Sequence, residues 1–187
     1  MTQPLKPNRR TFLRHSASVA VAGVASSLSL PAMANLSRGR TLAFDHTHTR
    51  EKISLQYALG DEYLPRSLNR LNHFLRDHYS GAVGVIDPNL FDVLHRISVS
   101  LGTGARHPFH VISGYRNHKT NHMLRTTRGG GVAKRSLHMD GKAIDIRLPG
   151  VPLTELRDAA LSLKAGGVGF YPRDQFVHVD TGRVRSW

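Results

Sequence analysis

No cysteine occurs anywhere in the 187 residues. That absence excludes disulfide staples, a lipid-modified cysteine anchor, thiolate metal ligands and every mechanism that uses a cysteine nucleophile. Serine-hydrolase signatures are missing too: the chain has neither a G-x-S-x-G elbow nor an S-x-x-K. A long apolar run is also lacking. The stretch from Ser16 to Leu30 is diluted by Ser16, Ser18, Ser26, Ser27 and Ser29, whereas a spanning helix needs about 20 predominantly apolar residues. A hydrolase made from this chain is left with metal or carboxylate chemistry.

What the N-terminus does contain is Asn8-Arg9-Arg10-Thr11-Phe12-Leu13-Arg14, then a short weakly apolar stretch, Pro31 and Ala32-Met33-Ala34. This order reads as a twin-arginine signal peptide over residues 1–34 with an A-x-A cleavage site after Ala34. It predicts export of the folded chain to the periplasm, with no stable membrane anchor after cleavage. Removing Lys6, Arg9, Arg10 and Arg14 lowers the formal charge from +13 to +9, since 22 basic residues then face 13 acidic ones. The mature chain stays basic, which suits nucleic acid, anionic lipid or an acidic polymer, and net charge alone does not choose among them. Its Lys and Arg are scattered without a basic block or an aromatic-basic repeat, so nucleic acid is not an expected partner.

Residues 35–187 fit one domain with a single core. Thr41 to Phe44 and Lys52 to Tyr57 predict two strands. Leu68, Leu71 and Leu75 recur at helical spacing, and a second helix starts at Asp87 as N-cap with Pro88 next, stopping at Gly102. Phe109 to Ile112, Ala143 to Ile146, Gly167 to Tyr171 and Phe176 to Val179 predict further strands, and Leu153 to Leu163 a helix. Residues Arg125 to Arg135, centred on Gly129-Gly130-Gly131, read as a mobile loop. The expected class is α+β: a single compact domain with a small antiparallel sheet flanked by helices, carrying a site at its strand ends.

The chemistry concentrates in Ser136-Leu137-His138-Met139-Asp140-Gly141-Lys142-Ala143-Ile144-Asp145. His138 precedes a strand that contains Asp145, so the chain must turn back to bring imidazole and carboxylate together, and Gly141 permits the positive φ this needs. Ala143, two before Asp145, keeps that strand face small. In Phe176-Val177-His178-Val179-Asp180, His178 and Asp180 point to one side of a strand. A catalytic zinc site needs three nitrogen or oxygen ligands and an open position. His138, Asp145 and His178 supply that set.

Together with Ser113-Gly114-Tyr115-Arg116, the run Gly166 to Pro172 and His178-Val179-Asp180-Thr181-Gly182, these residues resemble the YcbK-like murein endopeptidases. The wider group of zinc peptidases includes D-alanyl-D-alanine carboxypeptidases, lysostaphin-like enzymes and the hedgehog signalling domain. The resemblance spans essentially the whole chain through Trp187. It implies one zinc ion per chain held by His138, Asp145 and His178, hydrolysis of the peptide cross-links of peptidoglycan, and a role for Arg116 at a substrate carboxylate or the developing oxyanion. Asp180 is then the expected general base, and Ser136 a substrate-binding residue or a simple turn residue.

Three alternatives stay open in the sequence. A shift of two residues makes Asp180 the ligand and His178 its helper. A D,D- or L,D-carboxypeptidase would use the same parts, and a non-catalytic peptidoglycan-binding module would keep the metal alone. His118 and His122 are four apart with Lys119 between, and read as loop or surface residues. His46, His48, His107 and His110 have no carboxylate partner in sequence and are left out of the site.

Overall fold

The first two strands build a hairpin because the polar turn after His46 folds one apolar strip back on another. β1 (Gly39–His46) pairs antiparallel with β2 (Lys52–Leu59), placing Phe44 opposite Ile53. Both strands run longer than their apolar centres suggest. The computed structural model describes residues 39–127 and 132–187. The expected signal segment, 1–34, and the glycines of the expected loop lie outside them.

A two-residue strand, β3 (Glu62–Tyr63), leads into α1 (Pro65–Phe74). α2 (Pro88–Ser100) starts where the sequence predicts: the Asp87 carboxylate accepts the Asn89 N–H at 3.0 Å and Pro88 fills the first turn. Such a cap contributes about 1 kcal/mol. Then come β4 (Phe109–Ser113), α3 (His118–Thr127), β5 (Ala143–Arg147), α4 (Leu153–Ser162), β6 (Gly167–Tyr171), β7 (Phe176–Asp180) and β8 (Arg185–Ser186). α3 corrects the loop reading at its near end, since Arg125 to Thr127 are helical and His118 and His122 lie exposed on that helix. The overlooked signal is Asn117, whose side-chain oxygen accepts the Thr120 N–H at 2.7 Å as a helix cap.

The α+β class stands, but the small antiparallel sheet does not. All eight described strands join one mixed sheet in the order β3-β2-β1-β4-β5-β7-β6-β8. β4 returns beside β1 only after α1 and α2, so it enters parallel, and β8 lies parallel to β6; the other pairs are antiparallel.

Register gives this sheet two chemical faces. Ile144 pairs with Val179 and Ile146 with Val177, and all four are buried in the apolar core with Leu90, Leu94 and Leu156 of the helices. On the alternate positions, Asp145 pairs with both Ser113 and His178, Ala143 with Asp180, and Gly169 with His178. Paired residues share a face, so the polar set lies together on the side opposite the core.

Candidate metal centre

Two of the three donors arrive by strand register. Asp145 on β5 and His178 on β7 are direct neighbours across the sheet, and His178 Nδ1 lies 2.8 Å from Asp145 Oδ1. The third comes from the turn before β5. There the Lys142 N–H bonds back to the Leu137 carbonyl at 2.9 Å and Gly141 takes φ +65°. A Cβ at Gly141 would collide with the Val85 carbonyl, so the position requires glycine for space as well as for backbone conformation. The turn carries His138 over the strand, with Nε2 at 3.3 Å from Asp145 Oδ1 and 3.2 Å from His178 Nδ1.

The outer nitrogen of each ring fixes what the inner one offers. His138 Nδ1 sits 2.7 Å from the Gly114 carbonyl, which can only accept, so Nδ1 carries the proton and Nε2 presents a lone pair. His178 Nε2 faces Asp180 Oδ2 at 3.2 Å, which likewise leaves Nδ1 as the donor atom. One ligand atom from each of His138, Asp145 and His178 thus lies within 4.8 Å of the others, all three buried. For nitrogen and oxygen ligands about 2.05 Å from a tetrahedral ion, the ligand-to-ligand edge is about 3.3 Å. The spacings of 2.8, 3.2 and 3.3 Å fit such an ion.

Electrostatics agree with the geometry. Burial works to raise the Asp145 carboxyl, but His138 and His178 outweigh it and hold the group well below the usual carboxylate range. Burial likewise works to lower His178, while hydrogen bonds to Asp145 and Asp180 push it up to about 9. His138 is held below its ordinary value by burial. A proton on His178 Nδ1 occupies the place that a cation shared by the three donors would take, since ligation requires neutral imidazole.

Asp180, the expected general base, is enclosed by partners. It is fully buried, and its oxygens accept from Arg185 at 2.7 and 3.0 Å, from the Gly167 and Gly182 N–H groups at 2.9 and 2.8 Å, and face His178 Nε2. No oxygen of it opens onto the cleft. Its contacts instead orient His178 as a ligand, which also favours the frame with His178, not Asp180, among the donors. The part that Arg185 and Gly167 play beside Asp180 has no signal in sequence, because it appears only when β6 pairs with β7 and β8 with β6.

A cleft of about 320 Å³ opens over the donors and is lined by Ser113, Arg116, Ser136 and Trp187 among others. The Arg116 guanidinium lies 3.2 Å from Ser113 Oγ and 3.7 Å from Asp145 Oδ2, which turns its positive charge toward the donors. Ser136 lines the wall beside His138. His48 and His78, stacked with ring centroids 4.1 Å apart, also line it. His48, left out on sequence for want of a carboxylate partner, thus meets the cleft beside His78, 30 residues on. Asp174, in the turn after β6, is a further carboxylate on the wall.

The sequence profile of a family described as peptidoglycan L,D-endopeptidase MepK, Peptidase_M15_2, matches residues 34–187. Peptidoglycan L,D-endopeptidase MepK of Escherichia coli (strain K12) is 47% identical over 182 residues, covering 96% of this chain and 97% of the relative. The protein of that name from Shigella flexneri gives the same figures. A probable peptidoglycan L,D-endopeptidase MepK of Haemophilus influenzae is 42% identical over 159 residues, 85% of this chain and 84% of its own. With this coverage, and with the donors of the resemblance brought together at one point, the chain belongs to the Peptidase_M15_2 family of peptidoglycan L,D-endopeptidases.

Proposed function

We infer that this protein is a zinc-dependent murein endopeptidase that hydrolyses peptide cross-links of peptidoglycan during wall growth or remodelling. The observation that carries the reading is the convergence of one nitrogen each from His138 and His178 on Asp145 Oδ1 at the floor of an open cleft. The names of the relatives extend it to L,D cross-links as the bonds cut. Incubating purified cross-linked muropeptide dimers with the mature protein tests it. Monomer release that stops with a chelator and returns with zinc supports the reading, and dimers left intact by the zinc-loaded protein would end it.

His138, Asp145 and His178 would hold one zinc ion. When bound, such an ion acidifies water and polarises a carbonyl. The chain supplies the surroundings. Arg116 places a fixed positive charge beside the donors, where it stabilises oxyanion charge or binds a substrate carboxylate. Ser136 borders the same wall as a substrate contact. Gly114 O and Asp180 hold the two imidazoles in their donating tautomers. This complement of an oriented cation and a substrate-sized cleft favours catalysis over a purely structural metal module.

Asp180→Asn accordingly differs from loss of a base. An amide cannot accept from all the donors around Asp180, so His178 loses its orientation. Zinc affinity is expected to fall by about 10- to 100-fold, the usual cost of removing an outer partner, and activity should recover at raised zinc. Titration with a competing chelator measures this; unchanged affinity with lost turnover would return Asp180 to the proton-transfer role.

The reading includes export to the periplasm by the twin-arginine route, which the Arg9-Arg10 pair and the Ala32-Met33-Ala34 site support. Replacing Arg9 and Arg10 together by lysine should leave precursor in the cytoplasm, because the arginine pair is what the export receptor reads. Normal amounts of mature periplasmic protein in that double variant would contradict this route.

A further inference from the structure

One wall of the cleft is aromatic, and the metal chemistry makes no use of it. Trp187 lines the cleft yet remains 50% exposed. Its indole centroid lies 5.3 Å from that of His178. Large aromatic side chains left half in water forgo much of the stabilisation their burial would bring. This one is nevertheless held firmly. The indole N–H donates to the Tyr171 hydroxyl at 2.7 Å, and the Arg185 guanidinium sits 4.8 Å from the ring. Its backbone joins β6, with the Phe170 N–H bonded to the Trp187 carbonyl at 3.0 Å.

Gly169 makes room for the ring. A Cβ there would lie 2.7 and 2.8 Å from indole carbons, so glycine at the position paired with His178 lets the indole settle beside the donors. Tyr171 continues the surface by stacking on Phe176 at 4.5 Å and 18°. With its N–H already committed to Tyr171, the indole offers a substrate only its π face.

We propose that the Trp187 indole is the platform on which the cross-linked peptide lies, stacking against the amide planes and aliphatic parts of the cross-link and so setting the scissile bond over the metal site. The proposal rests on the endopeptidase reading. Trp187 is a binding residue, not a proton donor, so it acts on substrate affinity more than on the chemical step.

The chain contains a single tryptophan, so its emission reports on this position alone. Titrating the zinc-loaded protein with a ketomethylene isostere of the cross-linked dimer, which binds without being cut, should give a saturable change in tryptophan emission. In turnover assays Trp187→Ala should raise KM about tenfold, with kcat within about twofold, while Trp187→Phe should recover most of the affinity. Zinc content should stay at one per chain in both variants. Unchanged emission at saturating isostere, or an unchanged KM in Trp187→Ala, overturns the platform while leaving the peptidase intact. If the alanine variant does not fold, the wild-type emission titration decides alone. Failure of the zinc-loaded wild type to cut the dimer overturns the endopeptidase reading and this inference with it.

Discussion

Replacing His138 by alanine is expected to empty the metal site and reduce cross-link cleavage to background. Only Asp145 and His178 would remain as donors, and they would be poorly arranged, because the turn that carries His138 closes the third corner of the site. The loss should exceed the 10- to 100-fold typical of removing an outer partner, since a ligand itself is gone. The fold should survive. His138 sits in a turn on the polar side of the sheet, while the core is made by Ile144, Ile146, Val177, Val179 and the helices behind them. Far-UV circular dichroism like the wild type, with zinc near zero by elemental analysis, is the expected pair of results. Full zinc and full turnover in this variant would show that the donor set is wrongly drawn.

Arg116→Ala should separate binding of the metal from catalysis. Arg116 donates to Ser113 and Asn121 and lies beside Asp145, but it is no ligand, so zinc should remain near one per chain. Turnover should fall by about 100- to 1,000-fold, the range for loss of one oxyanion stabiliser. Arg116→Lys keeps the charge but not the fork of donors, and should restore only part of the rate. Steady-state kinetics together with zinc analysis check this. A rise in KM with kcat unchanged would instead assign Arg116 to holding a substrate carboxylate in the ground state.

Both effects trace to features with different visibility in the sequence. The clustering of His138, Asp145 and His178 was legible because strand alternation puts Asp145 and His178 on defined faces and Gly141 marks the turn that returns His138. The helix at Asp87 was legible because its cap is local, a side chain bonding two residues on. Sheet order was not, since the parallel pairing of β1 with β4 is decided by how α1 and α2 pack between them. The surroundings of Asp180 were only partly legible. Two residues from His178 on one strand face, it looks like a reactive partner; the Gly182 amide and Arg185, just after β7, and the Gly167 amide, across the sheet on β6, occupy its oxygens. The aromatic wall was invisible for a similar reason, because Trp187 meets His178 only through its backbone bonds to β6, just beyond β8. Long-range register therefore decided which polar residues face the cleft and which support it from behind.

The most direct test is mass spectrometry of the products formed from defined cross-linked muropeptide dimers by the mature protein, once as purified with one zinc per chain and once after chelation and dialysis. Zinc-loaded protein should convert L,D-cross-linked dimers to monomers by adding one water across the cross-link amide, the stripped protein should leave them intact, and added zinc should restore conversion. Equal cleavage with and without the metal, or release of single terminal residues from uncleaved dimers, would contradict a zinc endopeptidase built on His138, Asp145 and His178.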